Sequence, residues 1–292
     1  MPKLTVRICG GLGNQLFGFA FGQGLAAITN LPVIYDCQSG YINDTYGRQF
    51  LLNEFPLLRE SCAFKGHTKL TAKLFSALSY ISSRFAPVGF QPVVIEKPGG
   101  YNATIAHAQY RINTYFLGYW HSEKYFHAQR ESIRSLLRLP SPVSKSALER
   151  ILLVKSTVSC FVHWRSYKEE NMKKAGAQLS YYEEAMKRVA GKCPHVIFYL
   201  FTDDMILAKI FFGELWSRFH VWSDINDSAE PLEELSVMAE CEHAIVGNST
   251  FSWWAAWLAT TPSRLRVVIT PGGLSPWGSD WAAEGWQVIP AS

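Results

Sequence analysis

Apolar and polar positions follow different rules in the two halves of this chain. Near the start, Leu4, Val6 and Ile8 alternate with Thr5 and Arg7, the period of a half-buried strand. Leu16 to Ile28 is apolar and carries the small residues Gly18, Ala20, Gly22, Gly24, Ala26 and Ala27, which predicts a buried helix. Residues 38–50 and 97–109 are rich in Gly, Asn, Tyr and Thr and read as loops. Glu123 to Leu139 reads as a helix with Phe126, Ile133, Leu136 and Leu137 on one face, broken by Leu139-Pro140-Ser141-Pro142. Two prolines near the midpoint suggest a boundary between domains of residues 1–150 and 151–292.

The second half alternates regularly. Strands are predicted at Val158–Val162, Val196–Thr202, Phe219–Trp222, Ala244–Val246 and Arg266–Thr270. Helices are predicted at Tyr181–Val189, Met205–Phe212, Pro231–Glu240 and Ser252–Ala259. Strand alternating with helix on short connections predicts an α/β fold with a parallel, doubly wound sheet.

In such sheets ligands bind beyond the carboxyl ends of strands. That rule selects Gly10 to Asn14, His163 to Arg165, Asp203-Asp204 and Asn248-Ser249-Thr250. The turn Gly10-Gly11-Leu12-Gly13-Asn14 aims backbone N–H groups from a helix start, which suits a phosphate; its alternative is a tight turn that needs glycine. It is not a P-loop, because no Gly-Lys-Ser/Thr follows. It is a poor dinucleotide fingerprint as well: Leu16 stands three residues after Gly13, and Asp36 is read as lying in a Cys-Gln-Ser-Gly loop and not at a strand end.

Arg165 can clamp a diphosphate bidentately, and His163 can bond a base edge or move a proton; the plain reading is a loop histidine and a surface arginine. Asn248, Ser249 and Thr250 suit an anion site or an ordinary helix cap. Phe251 opens an aromatic block with Trp253, Trp254 and Trp257 at core spacing. Asp203 and Asp204 suit hydrogen bonds to ribose or a base more than metal ligation, with an N-cap by Asp203 as the alternative.

Composition narrows the classes. Hydrophobic residues make up 48% and charged residues 18%, so the chain is globular. A net charge of +4 with no basic run gives no footprint for nucleic acid. Six cysteines without CxxC spacing read as reduced thiols of a cytoplasmic protein. No apolar run reaches about 18 residues, so no membrane span is expected. The basic amphipathic stretch Lys69 to Arg84 leaves peripheral membrane contact open, with an ordinary surface helix as the alternative.

Three blocks then occur in order: Gly10-Gly-Leu-Gly-Asn-Gln-Leu-Phe17, Gly118-Tyr-Trp-His-Ser-Glu-Lys-Tyr-Phe126 and Asn248-Ser-Thr-Phe-Ser-Trp-Trp254. With Leu235-x-x-Met238-x-x-Cys241-x-His243, they resemble the bacterial alpha-1,2-fucosyltransferases of glycosyltransferase family 11 over residues 4 to 260. The resemblance implies a GT-B fold, two Rossmann-like domains facing across a cleft, with the N-terminal domain on the acceptor side. It implies GDP-fucose held mainly by the C-terminal domain and inverting transfer of fucose to the 2-hydroxyl of a galactose-terminated acceptor, in O-antigen or oligosaccharide synthesis, with no metal. Gly11, Leu12, Gly13, Asn14, His163, Arg165, Asp203, Asp204, Asn248, Ser249, Thr250 and Phe251 would then hold the donor.

The chain departs from the family at one place. The usual His-x-Arg-Arg-Gly-Asp-Tyr reads His163-Trp164-Arg165-Ser166-Tyr167-Lys168-Glu169-Glu170. Only His163 and Arg165 inherit the donor role. Arg165 would stabilise the leaving diphosphate, and Glu169 and Glu170 are the nearest carboxylates for the acceptor proton. Tyr115, Phe116, Tyr119, Trp120 and His121 offer aromatic faces for a galactoside. Transfer from another GDP-sugar, and a degenerate glycan-binding protein, are the competing readings.

Overall fold

The structure, a computed structural model, describes residues 1–66, 86–166, 177–222, 231–259, 266–273 and 280–291. It divides into two compact units, Met1–Arg138 and Leu139–Ser292, so the division falls just before Pro140.

The first unit holds a parallel sheet of β1 (Leu4–Arg7), β2 (Val33–Asp36), β3 (Phe64–Lys65), β4 (Val93–Ile95) and β5 (Thr114–Leu117), in the order β3-β2-β1-β5-β4. The helix α1 (Leu12–Thr29) is buried along most of its length, as its run of small and apolar residues predicts. Gly24 is required there, because a Cβ would collide with the carbonyl oxygen of Tyr125. Shorter helices are α2 (Pro56–Ser61), α3 (Ala103–Ala106) and α4 (Arg130–Leu136).

Three expectations change in this unit. Asp36 is not in a loop: it ends β2, opposite Arg7. Its buried carboxylate accepts the backbone N–H groups of Gln38 and Ser39 (3.1 Å each), the Ser39 hydroxyl (2.5 Å) and the Tyr115 hydroxyl, so the loop folds back over it. The stretch 97–109 is not all loop, since Asn102 caps α3 by accepting from the Ile105 N–H. Glu123 to Leu139 is not one helix. It forms two short 3-10 turns, Glu123–Tyr125 and His127–Gln129, before α4. Phe126 between them leaves helical dihedrals as Tyr125 and Phe126 turn inward onto Phe21 and Phe17.

The second unit holds α5 (Lys145–Lys155), β6 (Ser159–Trp164), α6 (Leu179–Lys192), β7 (Ile197–Thr202), α7 (Met205–Phe212), β8 (Phe219–Trp222), α8 (Pro231–Ala239), β9 (His243–Ile245), α9 (Thr250–Trp257), β10 (Val268–Gly272) and β11 (Gln287–Pro290). The sheet is parallel in the order β11-β10-β9-β6-β7-β8. From the central β6 the chain builds outward through β7 and β8, then returns to lay β9, β10 and β11 on the other side. The topological switch point therefore lies between β6 and β9, where doubly wound sheets bind ligands.

The faces of β6 are divided by the strand period. Cys160, Val162 and Trp164 join Tyr181, Tyr182, Ala185, Met186 and Val189 of α6 in one core cluster. Around α9 a second core is made of indoles: Trp253 contacts Trp254, Trp257, Trp281 and Trp286 and donates its N–H to the Trp281 carbonyl at 2.7 Å. Among the described residues no two cysteines are joined, and no helix is long and apolar enough to cross a membrane. The stretch Lys69 to Arg84 lies outside the described residues.

Candidate functional site

In the second unit the predicted residues gather at the carboxyl ends of β6, β7 and β9. His163 is the penultimate residue of β6, buried in the sheet and not in a loop. Its ring lies 6.2 Å from that of Phe251 on α9. Burial, aided by the Arg165 charge, pulls the imidazole pKa down to about 3, so the ring is neutral at physiological pH. Its Nδ1 is buried with no hydrogen-bond partner among the described residues. Its carbonyl accepts the Tyr182 hydroxyl at 3.1 Å.

Arg165 follows β6 and is 49% exposed, with its Nε 3.6 Å from an Asp203 carboxylate oxygen. The other Asp203 oxygen accepts the Ser166 N–H at 2.8 Å. Asp203 thus ties the end of β7 to the end of β6. The N-cap of α7 is Asp204, not Asp203: its carboxylate accepts the Leu207 N–H at 3.0 Å. The acidic pair is divided between two structural duties.

After β9 the chain runs through Gly247, and a Cβ there would come under 3.0 Å from the His163 carbonyl oxygen. This glycine lets β9 and β6 close at the switch point. Asn248 and Ser249 are buried, and Ser249 caps α9, its hydroxyl accepting the Phe251 N–H at 3.3 Å. Thr250 opens the helix, so the cap stands at the positive end of the α9 dipole. Tyr181 locks the strands beneath by donating to the carbonyls of Val246 (2.6 Å) and Ile269 (3.1 Å).

Sequence reasoning missed Glu234, in the first turn of α8. Burial pushes its carboxyl up to about 7, against the pull of Arg150 and Arg165 and with Asp203 raising it further. The pair Glu233-Glu234 carries no sequence cue to the different surroundings of its two members. Glu233 instead accepts from Val143 and Ser144 backbone N–H groups at 2.8 Å and from the Ser144 hydroxyl at 2.5 Å. Glu169 and Glu170 lie outside the described residues.

In the first unit, Gly11 is the N-cap of α1 and offers no side-chain cap, leaving a helix start ahead of Leu12 and Gly13. Asn14 is engaged by its side chain: its Oδ1 lies 3.0 Å from His121 Nε2. That bond bridges the ends of β1 and β5, the switch point of this sheet. Gln15 braces the turn, donating to the carbonyls of Gly10 (3.0 Å) and Gln49 (2.8 Å) and accepting from Leu51 (2.8 Å). Tyr115 and Phe116 are buried in β5, and Trp120 is fully buried, so of the aromatic block Tyr119 alone is substantially open.

Comparison with known proteins gives this arrangement relatives. The family model described as Glycosyl transferase family 11 matches residues 101–270, more than half of the chain. An alpha-1,2-colitosyltransferase of Escherichia coli is 25% identical over 283 residues, 93% of this chain and 92% of that protein. The O-antigen biosynthesis glycosyltransferase WbnK of Escherichia coli is 27% identical over 93 residues, 32% of this chain and 30% of that one. Among solved structures, POFUT1 in complex with GDP superposes with a TM-score of 0.52 at 12% identity, over 92% of this chain and 98% of that one. The likeness is one of fold: two parallel-sheet, Rossmann-like domains of the GT-B kind.

Proposed function

The chain belongs to glycosyltransferase family 11, and from that membership we propose that it transfers L-fucose from GDP-fucose to the 2-hydroxyl of a terminal β-galactoside with inversion. The observation that carries the donor side is the crevice between β6 and β9. There a neutral His163 with an unpartnered buried Nδ1, the Arg165 guanidinium and the start of α9 converge in one domain.

The chemistry follows from those groups. Transfer from a nucleoside diphosphate needs the leaving diphosphate stabilised as its charge grows. Arg165 contacts Asp203 through Nε, which leaves the two terminal nitrogens of its fork for phosphate oxygens. The N–H group of Thr250, with the dipole of α9, adds a second donor. Each donor of this kind is worth roughly 2–4 kcal/mol in a transition state. His163 reads the base edge in this arrangement. In this reading the reaction needs no metal: the Asp203 carboxylate is spent on Arg165 and Ser166, and Asp204 is spent on its helix. Glu169 or Glu170 takes the acceptor proton, late in an oxocarbenium-like transition state where a weak base suffices.

The full-length likeness to an alpha-1,2-colitosyltransferase favours a second reading, in which the donor carries colitose on the same nucleotide. GDP release is the test, measured with GDP-fucose and GDP-colitose, with and without a panel of β-galactosides, in EDTA and again in magnesium. Acceptor-dependent release from GDP-fucose that EDTA leaves unchanged is the expected result. Release from the other donor alone selects the second reading, and dependence on magnesium overturns the metal-free mechanism. Arg165→Lys should lose most of the activity, because lysine cannot reproduce the bidentate fork. Near-native turnover in that variant would remove Arg165 from the diphosphate site.

A further inference from the structure

One tightly held turn in the first domain is unused by the donor chemistry. Gly118 to His121 follows β5 at the switch point between β5 and β1. Trp120 within it has φ of 60°, a left-handed conformation rare for a bulky residue, although it is fully buried. Its indole stacks on Phe21 with ring centroids 4.0 Å apart and planes 4° from parallel. Strained dihedrals of this kind persist only where the surroundings over-determine them.

What determines this one is Glu96, the residue after β4. One of its carboxylate oxygens accepts the backbone N–H of Tyr119 at 2.6 Å and of Trp120 at 2.9 Å, and the His121 N–H also bonds the carboxylate. The approach is so close that a Cβ on Gly118 would stand 2.7 Å from that oxygen. Burial raises the Glu96 carboxyl pKa against the pull of those three donors.

The turn holds one aromatic side chain out. Tyr119 is 41% exposed, and its ring stacks on His121 with centroids 5.2 Å apart and planes 7° from parallel. His121 is neutral, its pKa pulled down to about 3 by burial, and it is fixed from behind by Asn14 and by the edge of Phe17. Arg7, Arg48 and Asp44 act electrostatically on the Tyr119 hydroxyl. An exposed aromatic side chain suits a neutral sugar ring, which has one C–H face and a rim of hydroxyls.

We propose that Glu96 is a positioning residue for acceptor recognition, holding the Gly118–His121 turn so that Tyr119 forms the platform on which the acceptor sugar stacks. This rests on the reading of the protein as a galactoside-directed transferase. The turn is stiffened from the backbone, so the platform loses little entropy when a sugar is ordered on it.

The test pairs direct acceptor binding with kinetics. Binding of methyl β-galactoside and β-lactoside to the full chain is followed by ligand-observed NMR, and KM is measured separately for donor and acceptor. Glu96→Ala and Tyr119→Ala should each raise the acceptor KM at least about tenfold and weaken acceptor binding in parallel, with the donor KM within about twofold. Glu96→Gln should recover most of the loss, because its amide oxygen still accepts the turn's N–H groups. Tyr119→Phe should stay near wild type. Tyr119 is a surface side chain, so its alanine variant tests the platform even if Glu96→Ala fails to fold. Equal rises in donor and acceptor KM, or an unchanged acceptor KM in Tyr119→Ala, would overturn the proposal while leaving the transferase reading intact. Galactoside binding lost in Tyr119→Ala from a protein that transfers nothing would support the platform and sink the reaction. A wild-type chain that binds neither galactoside would overturn the platform.

Discussion

Gly247→Ala isolates the closure of the β6–β9 switch point in one methyl group. The new Cβ would sit under 3.0 Å from the His163 carbonyl oxygen and 3.3 Å from the Tyr182 hydroxyl. Neither neighbour is a flexible tip. The carbonyl belongs to β6, paired at His163 with Phe201 of β7, and it accepts the Tyr182 hydroxyl. Relief therefore requires the two strand ends to part by roughly 1 Å. Overpacking of this kind costs about 1–3 kcal/mol, and weakening the tyrosine bond adds about 1 kcal/mol. Gly191→Ala is the internal control. It lies near the end of α6 with nothing within 4 Å of a new Cβ, so it should gain roughly 0.5–1 kcal/mol from helix propensity alone. For a domain of this size each kcal/mol moves the melting temperature by about 2–4 °C. Differential scanning calorimetry should place the two variants on opposite sides of wild type, and titration calorimetry should find GDP binding weakened only in Gly247→Ala. A displacement near 1 Å can cost about 100-fold in rate, so kcat/KM should fall further than stability alone explains. Wild-type melting and GDP affinity in Gly247→Ala would refute the argument that this approach shapes the crevice.

The pH response of the second domain should split by residue. His163, pulled down to about 3 from an ordinary 6.5, makes the fold lose about 1.4 kcal/mol per pH unit as pH falls below 6.5, because only the unfolded chain takes up that proton. Glu234, pushed up to about 7 from 4.5, acts oppositely: its contribution is complete below pH 4.5 and is lost as pH rises to 7. Urea unfolding followed by hydrogen exchange should show Glu234→Gln losing stability from pH 6.5 to 5 and His163→Gln gaining it; parallel responses would contradict both assignments. Asp204→Ala should cost about 1 kcal/mol of stability through the lost cap of α7. GDP affinity should stay within about twofold in that variant, and a larger loss by calorimetry would place Asp204 at the ligand.

The second domain was legible because its parallel strands are buried on both faces and read as mainly apolar runs, as Ser159–Trp164 and Ile197–Thr202 do. In the first domain β2, β4 and β5 are three or four residues long, too short for periodicity to separate them from loops. Asp36 was misplaced for that reason, since nothing in Val33-Ile34-Tyr35 announces a strand that ends on an acid. The helix Lys145–Lys155 was missed because its buried face is narrow, only Ala147 and Val154 being buried. Residue types at strand ends pointed to His163, Arg165 and Asn248-Ser249, and the fold sets these residues at the carboxyl ends of β6 and β9. They could not reveal which aspartate would cap α7, how Gly247 closes on His163, or what raises the Glu234 carboxyl, because each depends on a contact distant in sequence.

The distribution of indoles has an optical consequence. Of ten tryptophans only Trp120 belongs to the first unit, while the second gathers five around α9, directly behind Ser249 and Thr250. Emission from this chain is therefore weighted toward the second domain, whereas circular dichroism averages both. The lag between the two signals during denaturation would measure how independently the halves unfold. Trp120 shares its turn with Tyr119, so in a chain whose other indoles are replaced by phenylalanine its emission becomes a label already seated beside the sugar platform.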